Sequence, residues 1–253
     1  MPRLALIFSV VLWAAMKRLC LALTVLSMMS SCSPKYYAPT LQNVPLFREK
    51  GEMRFAANIA SGDEVGSTEF QGAYAFTDEL GVMLNADFAH GDFDSHGFVV
   101  EGGGGYYRPI RQRLAFELYG GAGIGKAVNR YGSGDSPDVS DLRFSKFFVQ
   151  PDFGIRRKFF EAAISTRFTG LHYYGIDTTV NTPGATIPDV EYIRSHASSL
   201  LAEPAFIVRA GHPSVKFQLQ VSNSFNLTAS DLRQEKTMIG FGLFISAKRQ
   251  PHR

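Results

Sequence analysis

Several stretches of this chain alternate apolar and polar side chains with a period of two, and that alternation limits its fold more than any other feature. In Leu80–Ala89, the residues Leu80, Val82, Leu84, Ala86 and Phe88 share one side while Asn85 and Asp87 take the other. Leu114–Ile124 sets Leu114, Phe116, Leu118, Ala122 and Ile124 against Glu117 and Tyr119. Phe159–Gly170 sets Phe160, Ala162, Ile164 and Phe168 against Glu161, Ser165 and Arg167; Val215–Val221 sets Val215, Phe217, Leu219 and Val221 against Lys216, Gln218 and Gln220. A pleated strand with one apolar and one polar face gives this period. No long window carries the 3.6-residue period of a helix, so no helix is expected. The strands are read at 51–61, 66–76, 80–90, 97–107, 112–125, 142–155, 158–170, 200–210, 214–224 and 236–247. Each has roughly the 9–11 residues that a tilted strand needs to cross a bilayer.

Such strands suit either a soluble barrel with an apolar core or a membrane barrel with an apolar outside. Three features favour the membrane. Tight connections (Thr77–Glu79, Arg108–Arg111, Arg156–Arg157, Gly211–Pro213) alternate with longer ones, including Lys126–Asp141, Leu171–Ser199 and Asn226–Glu235. Short turns at one rim and long loops at the other are the habit of outer-membrane barrels. Aromatics collect near strand ends: Phe76, Tyr106, Tyr107, Phe159, Phe160 and Phe217 by the tight turns, and Phe88, Phe98, Phe144, Tyr173 and Tyr174 by the long loops. Finally, the polar faces carry both signs of charge. Glu69, Glu101, Glu117, Asp152, Glu161 and Glu203 stand against Lys146, Arg167, Arg209 and Lys216, an expected interior network of paired groups. The glycines of Glu101–Gly125 fit the same picture, giving tightly curved strands room for large neighbours across the lumen.

On these residues the chain resembles the small outer-membrane β-barrel proteins of Gram-negative bacteria, with a lipoprotein signal added. The resemblance is one of pattern and covers residues 51–247. It implies an all-β, antiparallel, up-and-down transmembrane barrel of about ten strands (roughly eight to twelve). It implies a location in the bacterial outer membrane with both termini in the periplasm. The last strand, "KTMIGFGLFISAKRQPHR", departs from the family habit of ending on an aromatic residue.

The N-terminus reads as a targeting segment over residues 1–31. Two apolar runs, Leu4–Ala15 and Leu19–Met29, are split by Met16-Lys17-Arg18, and neither reaches the ~20 residues of a spanning helix. "MKRLCLALTVLSMMSSC" has a complete signal layout, which makes Met16 the expected start. Ser30-Ser31-Cys32 resembles a lipobox, with Met29 where Leu is usual, and implies acylation of Cys32. Residues 32–50 then read as a lipidated periplasmic tether, 51–247 as the barrel and 248–253 as a tail. Cys20 would leave with the signal, so no disulfide is expected. Without Arg3, Lys17 and Arg18 the 26 basic residues fall to 23, equal to the 23 acidic ones, and nothing points to nucleic acid.

Chemistry is sparse. "EGGGGYY" and "GGAGIG" open no helix and make no phosphate cradle. His90, Asp92, Asp94 and His96 gather on one outer hairpin, where imidazole and carboxylate could hold a cation or activate water; a solvated loop is the simpler reading. His196 and Ser198 resemble the His-x-Ser pair of barrel lipid A deacylases, but Glu203, the nearest carboxylate, lies on the other face. The acidic stretch Tyr131–Asp141 fits no EF-hand. The expectation is therefore a non-enzymatic envelope-structural, surface-contact or narrow-pore role, with no cofactor and no metal. Its partners would be outer-membrane lipid and a surface partner meeting loops 126–141 and 171–199. The alternatives are a rim hydrolase acting on lipid A or peptides, and a soluble periplasmic lipoprotein barrel with an apolar ligand inside.

Overall fold

The computed structural model describes residues 34–111, 113–131, 136–181, 186–228 and 232–248. The expected signal segment, Cys32 and residues 249–253 lie outside the described residues, as do 132–135 and 182–185 of the two long loops. The strands are β1 (Glu52–Ser61), β2 (Val65–Ala75), β3 (Leu80–Gly91), β4 (His96–Ile110), β5 (Leu114–Tyr131), β6 (Asp138–Arg156), β7 (Phe160–Thr179), β8 (Ser198–Gly211), β9 (Val215–Asn223), the two-residue β10 (Phe225–Asn226) and β11 (Thr237–Lys248). Each of β1 to β8 pairs antiparallel with the next, β11 pairs with both β9 and β1, and β10 adds a short pairing to β8. The ten long strands thus close into one barrel with no free edge.

The alternation sorts by side. Leu84, Leu118 and Ile164 are 62%, 42% and 59% exposed on the outer surface, whereas Glu117 and Lys216 are 0% and 3% exposed in the lumen. Apolar side chains face out and charged ones face in, the reverse of what a soluble barrel holding an apolar ligand requires.

Three strands outrun expectation. β5, β6 and β7 run 18, 19 and 20 residues, because the flanks of the expected loops 126–141 and 171–199 keep pairing. The β5–β6 ladder continues to Tyr131 opposite Asp138, and the β6–β7 ladder to Val139 opposite Thr179. Ion pairs Lys126–Asp141 (2.8 Å) and Arg143–Asp177 (2.6 Å) brace these extensions. The second loop also holds a helix, α1 (Pro188–Ser195), that hydropathy did not reveal. Eight residues are too few for a helical period to register, yet Pro188 at the first turn and Asp189 and Glu191 beside it are helix-start residues. Three of the strand-end aromatics are not on the outside: Tyr107, Phe144 and Tyr173 are 0%, 3% and 3% exposed and point into the lumen.

The largest correction concerns residues 34–50. From Pro39 to Phe47 all nine residues are buried, with none of the solvated character of a tether. They run inside the barrel. At the end carrying the long loops, Tyr36 N–H donates to Arg233 O (2.8 Å) and Glu235 N–H to Tyr37 O (2.8 Å). At the end carrying the tight turns, Arg48 N–H donates to Glu52 (3.1 Å) and Lys50 N–H to Asp78 (2.9 Å). The twelve steps from Tyr36 to Arg48 span up to ~40 Å of extended chain, enough to run the length of the lumen. Gly51 (φ 83°) then reverses the chain into β1. The first described residue and Lys248, whose β11 runs beside β1 with Lys248 opposite Glu52, therefore lie at opposite ends of the barrel. The expectation of both termini on one side does not hold for the described chain.

Candidate functional site in the lumen

The luminal segment is held by side chains from six strands. Glu69 of β2 accepts Leu41 N–H with both oxygens (3.0 and 2.9 Å), and Gln71 donates to Leu41 O (3.0 Å). Asn43 donates to Asn85 of β3 (2.8 Å), and its carbonyl receives Gln150 of β6 (2.9 Å). Glu117 of β5 accepts the successive N–H groups of Leu46 (2.9 Å) and Phe47 (2.6 Å). Leu46 adopts φ 53° there, so two neighbouring N–H groups converge on one carboxylate as in a backbone nest. Ser165 of β7 and the Glu203 carbonyl of β8 grip Gln42 in short hydrogen bonds. Every side of this segment meets protein, which is why no alternation marks it.

Strand glycines make the room. Gly240 of β11 faces Leu41, and a Cβ there would stand 2.3 Å from a leucine methyl. Gly121 of β5 lies under Phe148, whose ring a Cβ would meet at 2.4 Å.

All ten residues of the charged set lie in the lumen, each no more than 3% exposed. They do not simply pair with one another. One cluster centres on Glu101, which receives Lys146 (2.7 Å) and Arg167 (2.9 Å) as well as Asn85 (2.9 Å). A second centres on Glu161, with Arg209 and Lys216 each at 3.2 Å. Glu69 and Glu117 instead serve the luminal backbone, and Glu117 has no salt-bridge partner among the described residues. Glu203 accepts from Tyr37 and Thr169 (both 2.8 Å), and Asp152 is bonded by Ser165 and Gln150 (3.0 Å). Arg54 and Glu52 of β1, missed in the sequence reading, belong here too: Arg54 is 2% exposed and lies 3.2 Å from Glu52. The alternation of "EMRFAANIAS" would have placed both inward.

The two mouths differ. At the loop end Tyr36, Tyr37, Phe144, Tyr173 and Leu201 form an apolar layer onto which α1 lowers Val190 and Ile193. At the turn end a cavity of about 460 Å³ is lined by Arg48, Arg113, Arg156, Arg157, Lys158, Pro213 and Lys216.

The remaining candidates are dispersed. Ser198 points outward and pairs with His172 across β7–β8 (2.8 Å), not with His196, whose Nδ1 meets Ser195 (2.9 Å). Glu203, buried on the other face, cannot orient either histidine. His90 and His96 sit opposite each other in the β3–β4 ladder, while Asp92 and Asp94 form the 3₁₀ turn beyond it. Among the described residues no three His, Cys, Asp or Glu side chains converge as a metal site requires.

Fold and lumen together define a closed ten-stranded β-barrel, apolar outside and filled inside by its own N-terminal segment. No family model and no curated protein matches the chain. Among solved structures it is similar to the N-terminal β-barrel domain of Pseudomonas aeruginosa OprF, at 10% identity and TM-score 0.38, covering 78% of this chain and 98% of that one. It is similar to KdgM porin at 10% identity and TM-score 0.35, covering 76% and 98%. The Acinetobacter baumannii outer membrane protein Omp33 matches at 10% identity and TM-score 0.31, covering 79% and 99%. At such identity no residue role transfers from any of them.

Proposed function

We propose that this chain is a Gram-negative outer-membrane barrel sealed by its own N-terminal segment, with a non-enzymatic envelope or surface-contact role rather than that of an open porin. The observation that supports this reading is the unbroken burial of Pro39–Phe47 along the lumen. Ten strands enclose more space than barrel side chains alone must fill, and here a peptide of mixed apolar and polar residues occupies it. The apolar outer face is the surface for outer-membrane lipid, and loops 126–141 and 171–199 are the surface for a partner.

Lipidation at Cys32 is part of the proposal. Outer-membrane barrels keep their long loops outside and their tight turns in the periplasm. On that rule Pro34 is on the outer side and Lys248 on the periplasmic side. An acyl anchor two residues before Pro34, within ~7 Å of chain, would enter the outer leaflet.

Planar-bilayer recording tests the seal: the purified protein is expected to give no steady conductance, and persistent open-pore current would refute it. Replacing Cys32→Ser should leave a protein that still requires detergent and shifts its gel mobility on heating. Lys35→Cys in the Cys32→Ser background should react with a membrane-impermeant maleimide on intact cells; labelling only after permeabilisation would reverse the orientation. A hydrolase reading has one observation for it, the His172–Ser198 hydrogen bond of 2.8 Å. Unchanged lipid A acylation in Ser198→Ala is the outcome expected here.

A further inference from the structure

The geometry points to the turn-end cavity as a binding site for a phosphate-bearing anion. The charges around it do not balance. Glu52 and Glu161 are the carboxylates that pair with its cations Arg156 and Lys216. Glu52 is already shared by Arg54 (3.2 Å) and Arg156 (2.8 Å), and Glu161 by Arg209 and Lys216 (3.2 Å each). One layer deeper, Glu117 is occupied by the backbone of the luminal segment. Arg48, Arg113, Arg157 and Lys158 add four more cations with no ion pair among the described residues. Six of the seven residues that line the cavity are cations, and none is a carboxylate.

The hydrogen bonds show the same shortage. Arg48 turns an Nη2–H to the carbonyl of Arg156 (2.6 Å), Arg156 an Nη1–H to that of Leu46 (3.2 Å), and Lys216 its ammonium to that of Pro213 (3.2 Å). Arg48 makes no ion pair among the described residues and has only that main-chain oxygen, while Arg156 and Lys216 add theirs to the carboxylates they already share. Ligand cavities are usually lined by apolar side chains with a few polar ones; this one reverses the ratio, and its about 460 Å³ admits a small polyanion. Guanidinium forks match phosphate oxygens two at a time, and crowded like charge focuses an anion into the mouth.

The anion has two chemical sources: a soluble phosphorylated molecule on the turn side, or the headgroup phosphates of phospholipids beside the turns. Arg113 and Arg157 lie on separate turns, exposed, so their removal spares the buried network. The test uses the full chain in neutral detergent at low salt, titrated with inorganic pyrophosphate and followed calorimetrically. A parallel arm reconstitutes the protein into vesicles of phosphatidylcholine with or without phosphatidylglycerol and measures retained lipid phosphorus after re-extraction. Saturable pyrophosphate binding, weakened at least about tenfold in the Arg113→Ser/Arg157→Ser double variant but not in Lys236→Ser at the other end, assigns a soluble ligand. Phosphatidylglycerol retention that falls in the double variant, without pyrophosphate binding, assigns a headgroup. Neither signal, or equal binding by the double variant and the wild type, overturns the proposal; heat-modifiable gel mobility certifies that each variant is folded. The outcome is independent of whether the lumen conducts, so failure here leaves the seal untouched.

Discussion

Glu117→Ala should loosen the luminal segment while leaving the barrel wall closed. The carboxylate accepts two N–H groups, from Leu46 at 2.9 Å and Phe47 at 2.6 Å, at a site with no solvent access. Hydrogen bonds to a charged group contribute about 1.5–3 kcal/mol each, so the pair holds the segment by about 3–6 kcal/mol. At ~1.4 kcal/mol per tenfold, the ratio of docked to undocked segment should fall roughly 10² to 10⁴. The Leu46 backbone at φ 53° is strained by about 1–2 kcal/mol in the docked state of either protein and cancels in the comparison, so the loss is that of two N–H groups left buried and unpaired. The assays are thermal unfolding in detergent and planar-bilayer recording. The variant is expected to melt earlier and show intermittent openings that the wild type lacks, with Glu117→Gln intermediate because one acceptor oxygen remains. If Glu117→Ala matches the wild type within ~0.5 kcal/mol and stays electrically silent, the segment is not held by this carboxylate.

Gly240→Val should prevent proper docking of the segment, since the added Cβ lies 2.3 Å from Leu41; reduced protease resistance of residues 34–50 in a still heat-modifiable barrel is the expected readout. Phe147→Arg, on the outer face at 67% exposure, should destabilise the protein in lipid by about 2–4 kcal/mol if that face meets hydrocarbon, and by little if it meets water. Burial, with Tyr131 and Asp189 nearby, holds the Tyr36 phenol well above its ordinary range. Its folded value exceeds the unfolded one of ~10, so its stabilisation is complete below that pH and declines as pH rises past it. Tyr36→Phe should flatten the alkaline arm of the stability curve, and a curve identical to the wild type's would contradict the burial.

The wall of the barrel could be read from the residues because each strand has two unlike faces. Leu84 and Asp87, or Phe168 and Arg167, meet different surroundings, and the period of two records it. The lumen could not be read that way. Thr40-Leu41-Gln42-Asn43-Val44-Pro45-Leu46-Phe47 is enclosed on every side, so it has no face to alternate, and its prolines and amides look like those of a linker. The charged set misled by counting: Glu117 seemed to need a basic partner when its partners are backbone N–H groups that no composition displays. The extra length of β5, β6 and β7 stayed hidden for a related reason. In these extensions the outward side chains, Arg130, Arg143 and Asp177 among them, are polar and exposed, so no apolar face marks the stretch as strand.

The bonding pattern also bears on assembly. The segment precedes β1 in the chain, yet its contacts reach β2, β3, β5, β6, β7 and β8 around the ring. Drawing it into a finished barrel would carry Tyr36 and Tyr37, or Arg48 from the other side, past layers already closed by Phe148, Tyr119 and Tyr107. It would also leave Glu69, Glu117 and Glu203 buried without their donors until the last step, which is costly for buried polar groups. Closure of the strands around the segment avoids both. Each carboxylate then finds its N–H or hydroxyl as its strand is added, and the β11–β1 ladder shuts last over Leu41 at Gly240. The segment is better understood as the form around which the wall is laid than as a plug inserted afterwards. A chain lacking residues 34–47 should accordingly assemble poorly, not merely conduct.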